Sequence, residues 1–115
     1  MPERGDVVRL RRPIGFGSRA PEVRFVVMSP AKLNAMFPTF MGVPMYVHTA
    51  VDRGVPGNVI VRAADAGSDV DLVAVACQLA PVRTDDLEPG VRSHVSPITM
   101  QAIENAIRLV LGFRA

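Results

Sequence analysis

An arginine and a threonine, Arg24 and Thr49, could together act on a phosphodiester. When RNA is cut without a metal, the ribose 2′-hydroxyl attacks its neighbouring phosphate, and negative charge builds on the phosphate oxygens. A guanidinium fork can hold those oxygens, and a threonine hydroxyl can donate one more hydrogen bond. Both residues fall at the ends of β-like runs, where several loops can converge on one site. Arginine stays protonated near neutral pH and is a poor general base. No residue type in the sequence marks the group that would take the 2′ proton. Structural roles are open for the same residues: a surface ion pair for Arg24, with Glu22 as partner, and ordinary β-propensity for Thr49.

Other chemistries lack their signatures. The chain has no phosphate-binding P-loop, no Gly-x-Ser-x-Gly elbow and no zinc-protease helix. The single Cys77 cannot form an internal disulfide, and no Cys/His spacing suits zinc, so neither a metal nor a cofactor is expected. Cys77 lies in the apolar run 72–77 and reads as a small buried hydrophobe. The acidic pairs Asp85-Asp86 and Asp69 with Asp71 sit among turn residues and read as turn formers. His48 could titrate near neutral pH, but strand alternation sets it opposite Thr49, so it reads as a partly buried or surface histidine. His94 precedes the last helix and reads as solvated.

These residues need a scaffold to bring them together, and the pattern along the chain supplies short strands. Residues 5–11 alternate apolar and polar positions as a half-buried strand does. Residues 12–21 hold two glycines and two prolines and read as a long loop of the kind that carries function. In that loop Phe16 could stack on a base or anchor the loop on the scaffold. A second strand is expected over Val23 to Met28. Ser29-Pro30 then starts a short helix that Pro38 stops. A third strand is expected from about Phe40 to Thr49, with an edge, bulge or irregular segment where Pro44 removes a ladder donor. Further strands are expected over residues 58–62 and 72–79 and at Val82-Arg83-Thr84, the run 72–79 being the most apolar and central.

The clearest local signal is the last one. Ser96 is placed to cap a helix, Pro97 fits its first turn and Gly112 its stop. Met100, Ile103, Ala106, Ile107 and Val110 recur on one face at helical spacing. Many strands with one covering helix imply a mainly β, α+β fold: a small antiparallel barrel with a C-terminal helix packed alongside.

Composition is compatible with one domain over residues 1–115. The chain is 49% hydrophobic and 21% charged, a globular balance. Of its thirteen basic residues only Lys32 is lysine, and six arginines fall at or before Arg24 against the acids Glu3, Asp6 and Glu22. That end could face phosphate, although a GC-rich genome would also favour arginine codons. No targeting segment and no apolar stretch of membrane-spanning length appears, so a cytoplasmic protein is expected.

The order Gly5-Asp6-Val7-Val8, Gly17-Ser18, Arg24, Val47-His48-Thr49-Ala50, Gln78, Arg83-Thr84 and Ser96-Pro97 through Gly112 resembles the MazF/PemK toxins of toxin–antitoxin systems. The resemblance runs over nearly the whole chain. It implies a CcdB/PemK-like, SH3-like barrel and a metal-independent endoribonuclease that cuts single-stranded RNA, including mRNA. The products would be 2′,3′-cyclic phosphate and 5′-hydroxyl ends. It implies Arg24 and Thr49 as catalytic residues, and Gly17, Ser18, Arg19 and Gln78 as RNA-binding ones. A homodimer is implied, with a cognate antitoxin that covers the substrate groove with an acidic, apolar-studded segment. The sequence departs from the family pattern at Phe25, where proline is usual, and at Arg19-Ala20, which follow Gly17-Ser18. Leu79-Ala80-Pro81-Val82 separate Gln78 from Arg83-Thr84, and Val75, Ala76 and Cys77 replace the arginine and aspartate of the PemK branch. CcdB toxins share the fold but poison DNA gyrase through their last helix, which residues 103–112 also resemble. They end in Trp-Gly-Ile, where this chain has Leu111-Gly112-Phe113. A barrel that has kept the fold without the activity is a third possibility.

Overall fold

A computed structural model of the chain describes residues 2–11, 24–48, 54–90 and 93–113. Among them run seven strands and three helices: β1 (Asp6–Val8), β2 (Arg24–Val27), α1 (Ala31–Asn34), β3 (Thr39–Val47), β4 (Asn58–Val61), α2 (Ala63–Ala66), β5 (Leu72–Val75), β6 (Ala80–Arg83), β7 (Ser93–His94) and α3 (Pro97–Leu111). Every strand pairing is antiparallel, and the order across the sheet is β4-β5-β3-β2-β1-β7, with β6 also on β3. The mainly β, α+β architecture with a C-terminal helix is the one expected from the sequence.

The sheet curls because two strands change partners along their length. The first part of β3 pairs with β6 and the last with β5, while β2 lies on its other side. Pro44 falls between the two partners, after the pair Gly42–Ala80 and before Met45–Ala74. The Met28 N–H bonds the Met41 carbonyl at 2.8 Å. Hydrogen-bonded and non-bonded pairs alternate in such a ladder, so Phe25–Pro44 is a non-bonded pair and the missing proline N–H faces the seam. The strand is therefore central and runs unbroken through Pro44, so the edge, bulge or irregular segment expected there is not found; what changes at Pro44 is the partner on the seam side. Likewise β1 meets β7 at Asp6–Val7, and beyond it Leu10 bridges Leu87. The Arg11 N–H to Asp86 carbonyl and Glu88 N–H to Arg9 carbonyl bonds, both 2.8 Å, draw the curled ends together.

Alternation sends side chains to two cores. Val8, Phe25, Val27, Phe40, Tyr46, Val73 and Val82 fill the concave interior. Val7, Val26, Val43, Met45, Leu72 and Ala74 face the other way and pack with Ile103 of α3. Ser96 caps α3 by accepting from the Thr99 N–H at 3.3 Å, and Gly112 ends it in the left-handed region at φ 79°, as the capping signals predict. The expected face is the inner one: Ile103 and Ala106 are buried, and Met100 and Ile107 pack on the same core.

Several local expectations are revised. Strand β5 stops at Val75, and a 3-10 turn over Ala76–Gln78 follows. That turn breaks the alternation, burying Ala76 and exposing Cys77, so Cys77 is not the buried hydrophobe its neighbours suggested. Ser29 does not cap α1. Its hydroxyl donates to Asn34 Oδ1 at 2.5 Å and accepts the Met41 N–H at 2.9 Å. Asn34 is itself buried and donates to the Pro2 and Ser29 carbonyls, which ties α1 to the chain start. His94 is exposed but belongs to β7, and its Nδ1 lies 3.0 Å from Asp6 Oδ1. No helix among the described residues is long and apolar enough to cross a membrane.

Candidate functional site

The site forms where β2 begins. In the run Arg24-Phe25-Val26-Val27, Phe25 and Val27 point into the concave interior, so alternation sends Arg24 to the opposite face with Val26. Arg24 sits across from Met45 in register, and Met45 across from Ala74. The guanidinium is thus set at a strand end beside the helix-facing core, and the residue is 8% exposed. The residue is therefore not on the open surface, and Glu22, the ion-pair partner suggested for it, lies outside the described residues.

A pocket of about 370 Å³ opens beside it, lined by Arg24, Val47, Ser68, Asp69 and Val70. Helix α2 explains why residues 68–70 reach that place. Gly67 adopts the left-handed region at φ 62°, the Ser68 N–H bonds the Ala63 carbonyl at 3.0 Å and the Gly67 N–H bonds that of Ala64. Such a reversal ends a helix and turns the chain sharply, and glycine accepts it without steric cost. Asp71 Oδ1 accepts the Ala63 N–H at 2.9 Å, and the His48 N–H reaches the Asp71 carbonyl at 3.4 Å. These bonds hold the turn at the ends of β3 and β5. Within it, Ser68 Oγ accepts the Val70 N–H at 3.3 Å.

Of the residues singled out in the sequence, Arg24 and Gln78 are described. Thr49, Gly17, Ser18 and Arg19 lie outside the described residues, as do Phe16 and Glu22. Gln78 is exposed in the 3-10 turn after β5, and its Oε1 accepts from the Tyr46 hydroxyl. Tyr46 belongs to the concave cluster and its neighbour Met45 to the opposite one. Gln78 is therefore held from the other side of the sheet and is not in the lining of the Arg24 pocket. His48 is half-buried, within the partly buried or surface reading given to it. The residues that sequence reasoning missed are Val47, Ser68 and Asp69. Asp69 was legible as a turn residue, but nothing in the composition around it told which strand end the turn would face.

A second corner bears on stability rather than on this pocket. Asp65 of α2 accepts from the Thr99 hydroxyl at 2.6 Å, the Ser96 hydroxyl at 3.0 Å and the Ser96 N–H at 3.3 Å. The Thr99 bond, with help from Ser96 and against the effect of burial, holds the Asp65 carboxyl below the ordinary carboxylate range. No group of three or more His, Cys, Asp or Glu side chains placed to hold a metal occurs among the described residues.

An antiparallel sheet curled around an aromatic and aliphatic interior, with a capped C-terminal helix on its convex side, defines the MazF-like class of α+β folds. The solved structures bear this out over the full chain length. An endoribonuclease in complex with its cognate antitoxin, from a mycobacterial species, has a TM-score of 0.77 and 21% identity, covering 100% of this chain and 99% of that one. MazF in a MazE-MazF complex from Deinococcus radiodurans gives 0.74 and 18%, covering 98% of each chain. The Mycobacterium tuberculosis toxin MazF-mt6 gives 0.70 and 13%, covering 96% and 97%. No family model and no curated protein sequence matches the chain.

Proposed function

We propose that this chain is the toxin of a type II toxin–antitoxin pair and an endoribonuclease that cuts single-stranded RNA without a metal, leaving 2′,3′-cyclic phosphate and 5′-hydroxyl ends. One observation carries the reading: a buried arginine at the first position of β2 looks into an open pocket beside the end of β3. It does so on a fold whose solved examples include endoribonucleases and an endoribonuclease–antitoxin complex. Burial holds the guanidinium in a low-dielectric setting, where hydrogen bonds to a charged phosphate are stronger than in water. Val47, which lines the same pocket, lies two residues before Thr49 in the chain. In this reading Arg24 grips the phosphate oxygens as charge develops, and the Thr49 hydroxyl donates to the same group. Gly17, Ser18, Arg19 and Gln78 contact RNA away from the scissile phosphate. The active form is a homodimer in the cytoplasm, and an acidic, apolar-studded antitoxin segment restrains it by occupying the arginines that RNA needs.

Purified protein mixed with defined single-stranded RNA in EDTA tests this, with 5′ ends mapped. Cleavage persists in EDTA, and Arg24→Ala lowers its rate by about 10²–10³. Arg24→Lys loses most of that rate too, because an ammonium keeps the charge without the planar fork. RNA left intact by wild-type protein, or cut by Arg24→Ala at the wild-type rate, rejects the assignment. A second reading, a gyrase poison acting through α3, draws on the exposed Leu109, Leu111 and Phe113 at the end of that helix. Intact RNA together with gyrase-linked DNA breaks selects it.

A further inference from the structure

The pocket beside Arg24 also holds a carboxylate. We propose, resting on the ribonuclease reading, that Asp69 takes the proton from the attacking 2′-hydroxyl and is the general base of the reaction. Asp69 lines the same space of about 370 Å³ as Arg24. The neighbouring acids are committed elsewhere: Asp71 accepts the Ala63 N–H, and Asp65 accepts from Ser96 and Thr99. Among the described residues no hydrogen bond or ion pair engages Asp69, and it is exposed. Its backbone is not loose, because the left-handed Gly67 and the Ser68–Val70 bond hold the turn that carries it.

A carboxylate that shares the pocket of a phosphate-binding arginine weakens phosphate binding by repelling the phosphate's like charge. Its presence there calls for a second job, and the cleavage chemistry has one vacant. A carboxylate is ionised at neutral pH and can accept a proton, which a guanidinium cannot. In the step, the 2′-hydroxyl proton passes to the Asp69 carboxylate as the O2′–P bond forms. The P–O5′ bond breaks, its electron pair leaves with O5′, and that oxygen takes a proton from water. Asp69 then returns its proton to solvent, so the products are the cyclic phosphate and the 5′-hydroxyl with no net change in the protein. Arg24 stays charged throughout and stabilises the phosphorane-like transition state.

The test is steady-state cleavage of one defined RNA, in EDTA, by wild type, Asp69→Asn and Asp69→Glu across pH 3.5 to 8. Asp69→Asn keeps the shape and loses the base. Its kcat falls by about 10²–10⁴, its KM is unchanged or lower because the repulsion is gone, and the acidic limb of the wild-type rate profile disappears. Asp69→Glu restores part of kcat together with that limb. An Asp69→Asn protein that cuts within threefold of wild type with the limb intact overturns the assignment and leaves the ribonuclease standing. A variant that raises KM at unchanged kcat overturns it as well, since the carboxylate then reads a base. RNA left intact by wild type rejects both proposals. Equal melting temperatures for the three proteins separate a chemical loss from an unfolding one.

Discussion

Replacing Asp65 by alanine should cost stability in a way that depends on pH. One carboxylate oxygen of Asp65 accepts three hydrogen bonds, from Thr99 at 2.6 Å and from Ser96 at 3.0 and 3.3 Å. It joins α2 to the first turn of α3, where the helix dipole also favours negative charge. Bonds to a charged acceptor are worth about 1.5–3 kcal/mol each when fully buried. Asp65 is only half-buried and one of its bonds is long, so solvent screening reduces the total. A net loss of about 1–2 kcal/mol is expected, which for a chain of this size lowers Tm by about 4–8 °C. The sign with pH follows from the direction of the shift. The folded carboxyl is held below its ordinary range. Its contribution is therefore full above the unfolded value of about 4 and is lost as pH falls through the lower folded value. Thermal melts of wild type and Asp65→Ala should be well separated at pH 7 and converge toward pH 3. Asp65→Asn keeps an acceptor but no charge and should fall between them at pH 7. An equal gap at pH 3 and pH 7, or none at pH 7, refutes the reasoning.

Ile103→Ala should destabilise by about 2–4 kcal/mol in urea unfolding with an unchanged slope, because the fully buried side chain seats α3 on the sheet. A loss below about 1 kcal/mol would mean that α3 is not anchored there. Cys77 should react with a maleimide in the native protein about as fast as in denaturant, since it is exposed in the 3-10 turn. Protection in the native state would restore the buried position that the flanking residues suggested.

Helix α3 was legible residue by residue. Its cap, its first-turn proline, its stopping glycine and its apolar face are local signals, and local chemistry decides them. The strands were legible as runs because alternation is also local. Pro44 suggested an edge, bulge or irregular segment, whereas β3 runs unbroken through it. That a central strand exchanges β6 for β5 there is a matter of which distant strands arrive, and no window of sequence contains both. Cys77 fails for the same reason: its neighbours are those of a buried strand, and a 3-10 turn rotates it outward.

The candidate site divides along this line. Arg24 was named on the resemblance to the MazF/PemK toxins, with a structural role open beside it, and the fold buries it at the first position of β2. Asp69 could only be read as a turn former, and it does sit in the turn that follows α2. Its place beside Arg24 depends on a left-handed glycine after α2 and on the pairing of β3 with β5. Residue chemistry and periodicity are properties of short stretches, so the chain alone determined most of the elements. The meeting of residues 24 and 69 follows from long-range strand pairing, which only the folded structure decides.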